Sequence, residues 1–284
     1  MLINPYAFAA GGGGGVTTAG LVFSLDAGDA SSYGGSGQTW ANTVTAPADS
    51  SAQTAYDFYR GAGAGSGGDD PTFTGVPGDG GAYWALDGAQ YFTLAAASTA
   101  FLKGLHKSGS KFTLEAWVYH PGSTGSNINP VFSSGCSDQG GPDVSRGVVF
   151  ADFGTLNTSD GKRNGIRVKQ DGGGGSALSK EASTALSAGW HMLACSIDGT
   201  GAQGSFLYTD GGYDPAGGNN TWDGTFISPG TSDPTNAPRI GDRGDGAFHL
   251  PNGSRVAVFR AYNTNLSKAE LDANWAAVRS RYGL

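Results

Sequence analysis

From Gly20 to the C-terminus, short apolar or alternating runs are separated by clusters of Gly, Asp, Asn and Ser. The runs are 21–25, 83–86, 91–94, 112–119, 147–153, 165–170, 190–197, 204–209 and 254–262. Side chains on a strand alternate between faces, so an apolar residue every second position marks a half-buried strand. In 112–119, Phe112, Leu114, Ala116 and Val118 fall on one face, and Thr113, Glu115, Trp117 and Tyr119 on the other. In 254–262, Val256 and Val258 alternate with Ala257 and Phe259, which predicts cover on both faces. Asp87-Gly88 lies between two aromatic runs and predicts a hairpin turn. One helix is predicted, over 268–282. Ser267 and Glu270 have capping-box spacing, and Leu271, Trp275, Val278 and Tyr282 recur at helical intervals as a single apolar stripe. The fold class expected is all-β, an antiparallel β-sandwich jelly roll with one C-terminal α-helix lying on it.

Composition supports this picture. Glycine supplies 50 of 284 residues, against an ordinary share of ~7%. Charged residues stand at only 14% and aromatics at 11%, the reverse of a disordered chain. Many tight turns between aromatic strands account for both figures. The net charge of −7 and the lack of any basic cluster exclude a nucleic-acid partner and a charged membrane surface. No run of 18 apolar residues exists, so no transmembrane helix is expected. Cys136 and Cys195 leave two readings open, a single bridge or two free buried thiols. Three segments are expected: an apolar peptide at 1–10, a Gly-rich linker at 11–19 and the sandwich at 20–284. No Lys or Arg precedes Arg60, and Pro5 interrupts the short apolar start, so no signal peptide is expected.

Several stretches carry a likeness in order: Gly20-Leu21-Val22-Phe23-Ser24-Leu25-Asp26-Ala27, Leu86-Asp87-Gly88 followed by Tyr91-Phe92, and Phe112-Thr113-Leu114-Glu115-Ala116-Trp117-Val118. Gly189-Trp190-His191, Tyr208-Thr209-Asp210-Gly211, Arg239-Ile240-Gly241-Asp242 and Val256–Asn263 with Leu266–Leu271 follow. Together they resemble the concanavalin A-like lectin/glucanase superfamily, in its laminin-G-like and pentraxin-like branch. The resemblance implies a jelly roll. Function stays open, because that fold hosts lectins, hydrolases, adhesins and structural modules. The start of the chain, with Leu2, Ile3, Pro5, Tyr6 and Phe8 ahead of five glycines, resembles the docking peptides of tailed-phage virion proteins. That likeness implies a virion location, as a capsid decoration or tail-fibre protein anchored by this peptide. Its partners would be other virion proteins and host-surface glycans, and it would be a homo-oligomer. A free-standing extracellular lectin or adhesin is the alternative.

Candidate chemistry is sparse. Glycoside hydrolysis takes two carboxylates about 5–9 Å apart. Glucanases of the superfamily carry an E-x-D-x-x-E strand, yet this chain has three glutamates, Glu115, Glu181 and Glu270, and Trp117 and Tyr119 follow Glu115. The chain is therefore expected not to be an enzyme. His106, His120, His191 and His249 lack metal-ligand spacing, and His191 reads as structural. Calcium is the one candidate cofactor, at loop residues Asp242 and Asp245, since it takes oxygen-rich loops. Arg243-Gly244-Asp245 reads as a turn. For glycan binding, the candidates are Trp117, Tyr119, Tyr213 and Trp222 as stacking faces, with Asn219 and Asn220 as hydroxyl partners.

Overall fold

The computed structural model describes residues 15–122, 129–136, 146–152, 163–170, 178–200, 204–215, 232–244, 246 and 248–284. In chain order the strands are β1 Leu21–Asp26, β2 Thr39–Trp40, β3 Phe58–Arg60, β4 Thr72–Thr74, β5 Tyr83–Ala85 and β6 Phe92–Leu94. A short helix α1, Ala100–Gly104, precedes β7 Lys111–His120, β8 Pro130–Ser133, β9 Gly147–Asp152, β10 Arg163–Lys169 and β11 Leu178–Ala185. Then come β12 Gly189–Asp198, β13 Phe206–Thr209, β14 Gly212–Pro215, β15 Arg239–Ile240, β16 Arg255–Tyr262 and helix α2, Lys268–Val278. Among the described residues these strands build two antiparallel sheets of eight. The first runs β14-β13-β12-β7-β16-β5-β4 with β1 also on β16; the second runs β11-β10-β9-β8-β15-β6-β3-β2.

The sheets pack face to face over an apolar core. On β7 the alternation predicted from sequence holds: Phe112, Leu114, Ala116 and Val118 enter that core, and Trp117 joins a second cluster on the outer face. On β16 a bulge between Val256 and Val258 breaks the alternation. Val256 and Phe259 point inward, whereas Ala257 and Val258 both face outward. The extra residue of a bulge shifts the pleat by one, and this is how the strand covers both faces.

Helix α2 closes the outer face. The Ser267 and Glu270 side chains form the expected reciprocal capping box, and Leu271 and Val278 are buried beneath the helix. The α-helical part ends at Val278, and a 3-10 turn, Arg279–Tyr282, carries the chain on. One prediction fails. Asp87-Gly88 does not join a hairpin: β5 pairs with β16 in the first sheet and β6 with β15 in the second, so the turn crosses between sheets. Backbone bonds from Leu86 to Ser254 and from Gly253 to Leu86 hold the crossing segment. Both cysteines are buried and are not bridged to one another.

Candidate functional site

At one edge of the sandwich the turn between β13 and β14 faces the end of β11. Asp210 and Gly211 take positive φ of 50° and 86°. That double left-handed turn matches the twist of a two-residue hairpin, which is why Asp-Gly stands there. The Asp210 carboxylate then works inward. Its Oδ1 accepts the Met192 N–H at 2.8 Å, and its Oδ2 lies 2.6 Å from His191 Nδ1. The other ring nitrogen, Nε2, lies 2.9 Å from the Ser187 carbonyl. A carboxylate and a carbonyl only accept, so the ring satisfies both by donating twice, as an imidazolium. Burial works against that charge, but the bonds to Asp210 and Ser187 outweigh it and raise the His191 pKa. His191 thus fastens β12 to the hairpin and has no ring nitrogen left to exchange a proton with a ligand.

Beside this pair lies an open cleft of ≈ 430 Å³. Its walls include Ser183, Thr184, Ser187, Thr209, Tyr213 and Asp214. Asp214 accepts the Ser183 N–H at 2.6 Å and stands 3.7 Å from the buried Lys180 ammonium, tying β11 of one sheet to β14 of the other. Burial lowers the Lys180 pKa, with the Asp214 charge in opposition. Tyr213 is 47% exposed and leans on Phe206, with ring centroids 4.8 Å apart. A propped, open aromatic ring beside several hydroxyls offers a stacking face and hydrogen-bond partners together.

The remaining sequence candidates fall elsewhere. Trp117 is fully buried, stacked on Trp275 at 5.2 Å, with its Nε1 3.3 Å from Glu115. As a glycan platform it is corrected, because α2 occupies the face that would have been open. Tyr119 is half-buried, edge-on to Trp190 at 5.8 Å, with the Arg255 guanidinium 4.4 Å from its ring centre. Asp242 is bonded within its own turn. It is fully buried, and its Oδ1 accepts from Gly244 at 2.6 Å, Gly246 at 3.3 Å and Arg239 at 2.9 Å. Its Oδ2 lies 3.1 Å from His249 Nδ1. Arg243, next in the chain, lies with its guanidinium 3.8 Å from the centre of the Phe248 ring. Among the described residues no three of His, Cys, Asp and Glu gather as a metal site. Asp245, Asn219, Asn220 and Trp222, and the peptide residues Leu2, Ile3, Pro5, Tyr6 and Phe8, lie outside the described residues. Glu115 is fully buried and bound to Arg260 at 2.5 Å and Asn274 at 2.6 Å, a structural role. Sequence reasoning missed Ser183, Thr184 and Asp214. Tyr213 was a candidate from the sequence, and the Tyr208-Thr209-Asp210-Gly211 motif marked the turn beside it.

No protein-family description matches the chain, and no curated protein matches it. Solved structures do. A Trypanosoma rangeli sialidase in complex with the inhibitor DANA is 16% identical with a TM-score of 0.51, over 95% of this chain and 34% of that one. The botulinum neurotoxin serotype G binding domain is 14% identical with a TM-score of 0.52, over 90% of this chain and 50% of that one. The binding domain of botulinum neurotoxin DC in complex with SialylT is 8% identical with a TM-score of 0.55, over 91% and 52%. The chain thus spans about a third of the sialidase's length and half of the toxin domains. The likeness establishes the fold, an antiparallel β-sandwich jelly roll. It also overturns the expectation that the chain is no enzyme, since the same architecture lies within sialidases.

Proposed function

We propose that this chain is a glycan-binding β-sandwich module that recognises sugars at the Tyr213 cleft. The observation that carries the reading is an exposed tyrosine, propped by Phe206, over a cleft lined by hydroxyls and the Asp214 carboxylate. Two kinds of structural neighbour support it: a sialidase held with a small inhibitor, and a toxin binding domain in complex with the sialylated ligand SialylT. A glycan array probed with the full chain tests it. Binding should appear, and Tyr213→Ala should weaken it by about tenfold, the size of one lost aromatic contact. Silence across the array, or retention unchanged by Tyr213→Ala, would overturn the reading.

The display of this module on a virion, as a capsid decoration or tail-fibre protein attaching to host glycans, is the second part of the proposal. It rests on Leu2, Ile3, Pro5, Tyr6 and Phe8 followed by the glycines at 11–15. Removing residues 1–15 is expected to leave array binding intact while abolishing incorporation into particles. If particles still take up the shortened chain, the peptide is not the anchor, and a free-standing extracellular lectin becomes the better description.

A further inference from the structure

A second polar pocket, of ≈ 360 Å³, lies where the Asp87-Gly88 crossing meets the turn before β16. Thr72, Asp87, Gln90, Asn252, Ser254 and Arg255 line it. Its volume falls at the small end of the ordinary ligand-pocket range, about 300–1,000 Å³. The two walls are fixed to each other by the Leu86–Ser254 and Gly253–Leu86 backbone bonds, so the pocket is preformed.

Two features of this pocket have no explanation in the fold. The Arg255 guanidinium sits between two tyrosine rings, 4.6 Å from the centre of Tyr83 and 4.4 Å from that of Tyr119. Cation–π contact on both sides holds the fork in place without using its N–H donors. Among the described residues no carboxylate lies within ion-pair distance of it. Other arginines of this sandwich are matched: Arg260 with Glu115, Arg281 with Asp26, Arg239 with Asp242. Beside it, Ser254 is fully buried, and its Oγ has no hydrogen-bond partner. A buried hydroxyl left unmatched is disfavoured unless something enters to match it.

We propose that this pocket binds an acidic sugar residue, with the ring carboxylate received by Arg255 and the hydroxyls by Ser254, Asn252, Gln90 and Asp87. The choice of a sugar rests on the glycan reading above; the anion preference rests on Arg255 alone. A rigid guanidinium fork fits a carboxylate with two parallel bonds. A simple anion leaves the rest of the lining unused. Asp87, whose Oδ1 accepts the Ala89 N–H at 3.0 Å, repels a second carboxylate but accepts from a hydroxyl. A pyranose with one carboxylate meets both demands.

Calorimetric titration of the full chain with glucuronate, glucose and acetate tests the proposal. Glucuronate should bind about tenfold more tightly than either glucose or acetate. Arg255→Lys keeps the positive charge and loses the fork, and should erase the preference for glucuronate over glucose while leaving Tyr213-dependent array binding unchanged. Ser254→Ala, which removes one hydroxyl and is compatible with the buried site, should weaken glucuronate by a few-fold. Glucuronate bound no better than glucose, or a preference that survives in both variants, overturns the acidic-sugar site. An array that stays silent, or is unchanged by Tyr213→Ala, with the glucuronate preference intact would leave this site standing by itself. Array binding weakened by Tyr213→Ala with no glucuronate preference would leave only the cleft.

Discussion

The two faces of the first sheet are built on different principles. The inner face meets the second sheet chiefly through apolar contact, with buried Asn164 of β10 donating to the Ala194 and Tyr208 carbonyls: Phe259 stands 4.9 Å from Phe132, centre to centre, and Trp84 packs against Trp40 and Phe92. The outer face, under α2, is apolar too but encloses charge. Glu115 is fully buried between Arg260, Asn274 and the Trp117 indole. Asn274 also donates to the Tyr262 hydroxyl at 3.0 Å and accepts the Thr17 N–H at 2.7 Å. At the far end of the helix, Arg281 grips Asp26 with two bonds of 2.7 and 2.6 Å. Apolar contact rewards proximity without insisting on one alignment, and two broad sheets interlock by shape. A lone helix on a sheet has more ways to slide. Directional bonds to Glu115 and Asp26 leave α2 one position along its axis and one rotation about it.

Cutting into each face separates these roles. Phe259→Ala should produce the larger loss, about 3–5 kcal/mol, because it leaves a cavity at a point where aromatics from both sheets meet. Arg260→Met should fall at or just below the same range, about 3–5 kcal/mol, because Glu115 is then buried without its cation. The two differ in rescue. Adding Glu115→Met to Arg260→Met removes the orphaned charge and should recover most of the loss in urea denaturation, with α2 then less uniquely placed in amide exchange. No second substitution of that kind restores the Phe259 cavity. A double variant as unstable as Arg260→Met alone would show that the pair contributes through packing and not through charge balance.

The inner face was largely legible in the sequence, because a period of two with large apolar residues needs no partner to be read. The capping box of α2 was equally plain, being local to four residues. What failed depended on distant pairing. Asp87-Gly88 carries the same residues whether the chain doubles back within a sheet or crosses to the other; the bond from Leu86 to Ser254 decides it, and those residues are far apart in sequence. Trp117 was placed on the correct face of β7, yet whether that face is open depends on Trp275 more than a hundred residues on. The candidate sites follow the same rule. Tyr213 stood out as an aromatic in a polar stretch, and Asp210 through its turn motif. Ser183 and Asp214 become a pair only because the edges of two sheets meet. Arg255 gave no signal at all, since a guanidinium without an acid is visible only once every neighbour is in place.

The smallest expected effect lies where the inner layer ends, at His191, directly across from the core residue Val118 in the pairing of β12 with β7. Here the apolar principle gives way to a single charged link, so the comparison can be sharpened by titrating it. The folded-state pKa of His191 is raised: burial opposes the charge, but the Asp210 carboxylate and the Ser187 carbonyl more than compensate. A group with a raised folded pKa binds its proton more tightly folded than unfolded. Its contribution is therefore complete below the unfolded value of about 6.5 and is lost as pH rises through the folded value. The stability difference between the native chain and His191→Gln, measured by urea denaturation at stepped pH above the carboxylate range, should be greatest near pH ~6 and shrink toward alkaline pH. Phe259→Ala, which removes no titrating group, should show a difference that stays level over the same steps. A His191→Gln difference that grows as pH rises would mean that the ring is held neutral, with one nitrogen facing its acceptor without a proton, and the rim would then belong with the packed interior and not with the charged links beneath α2.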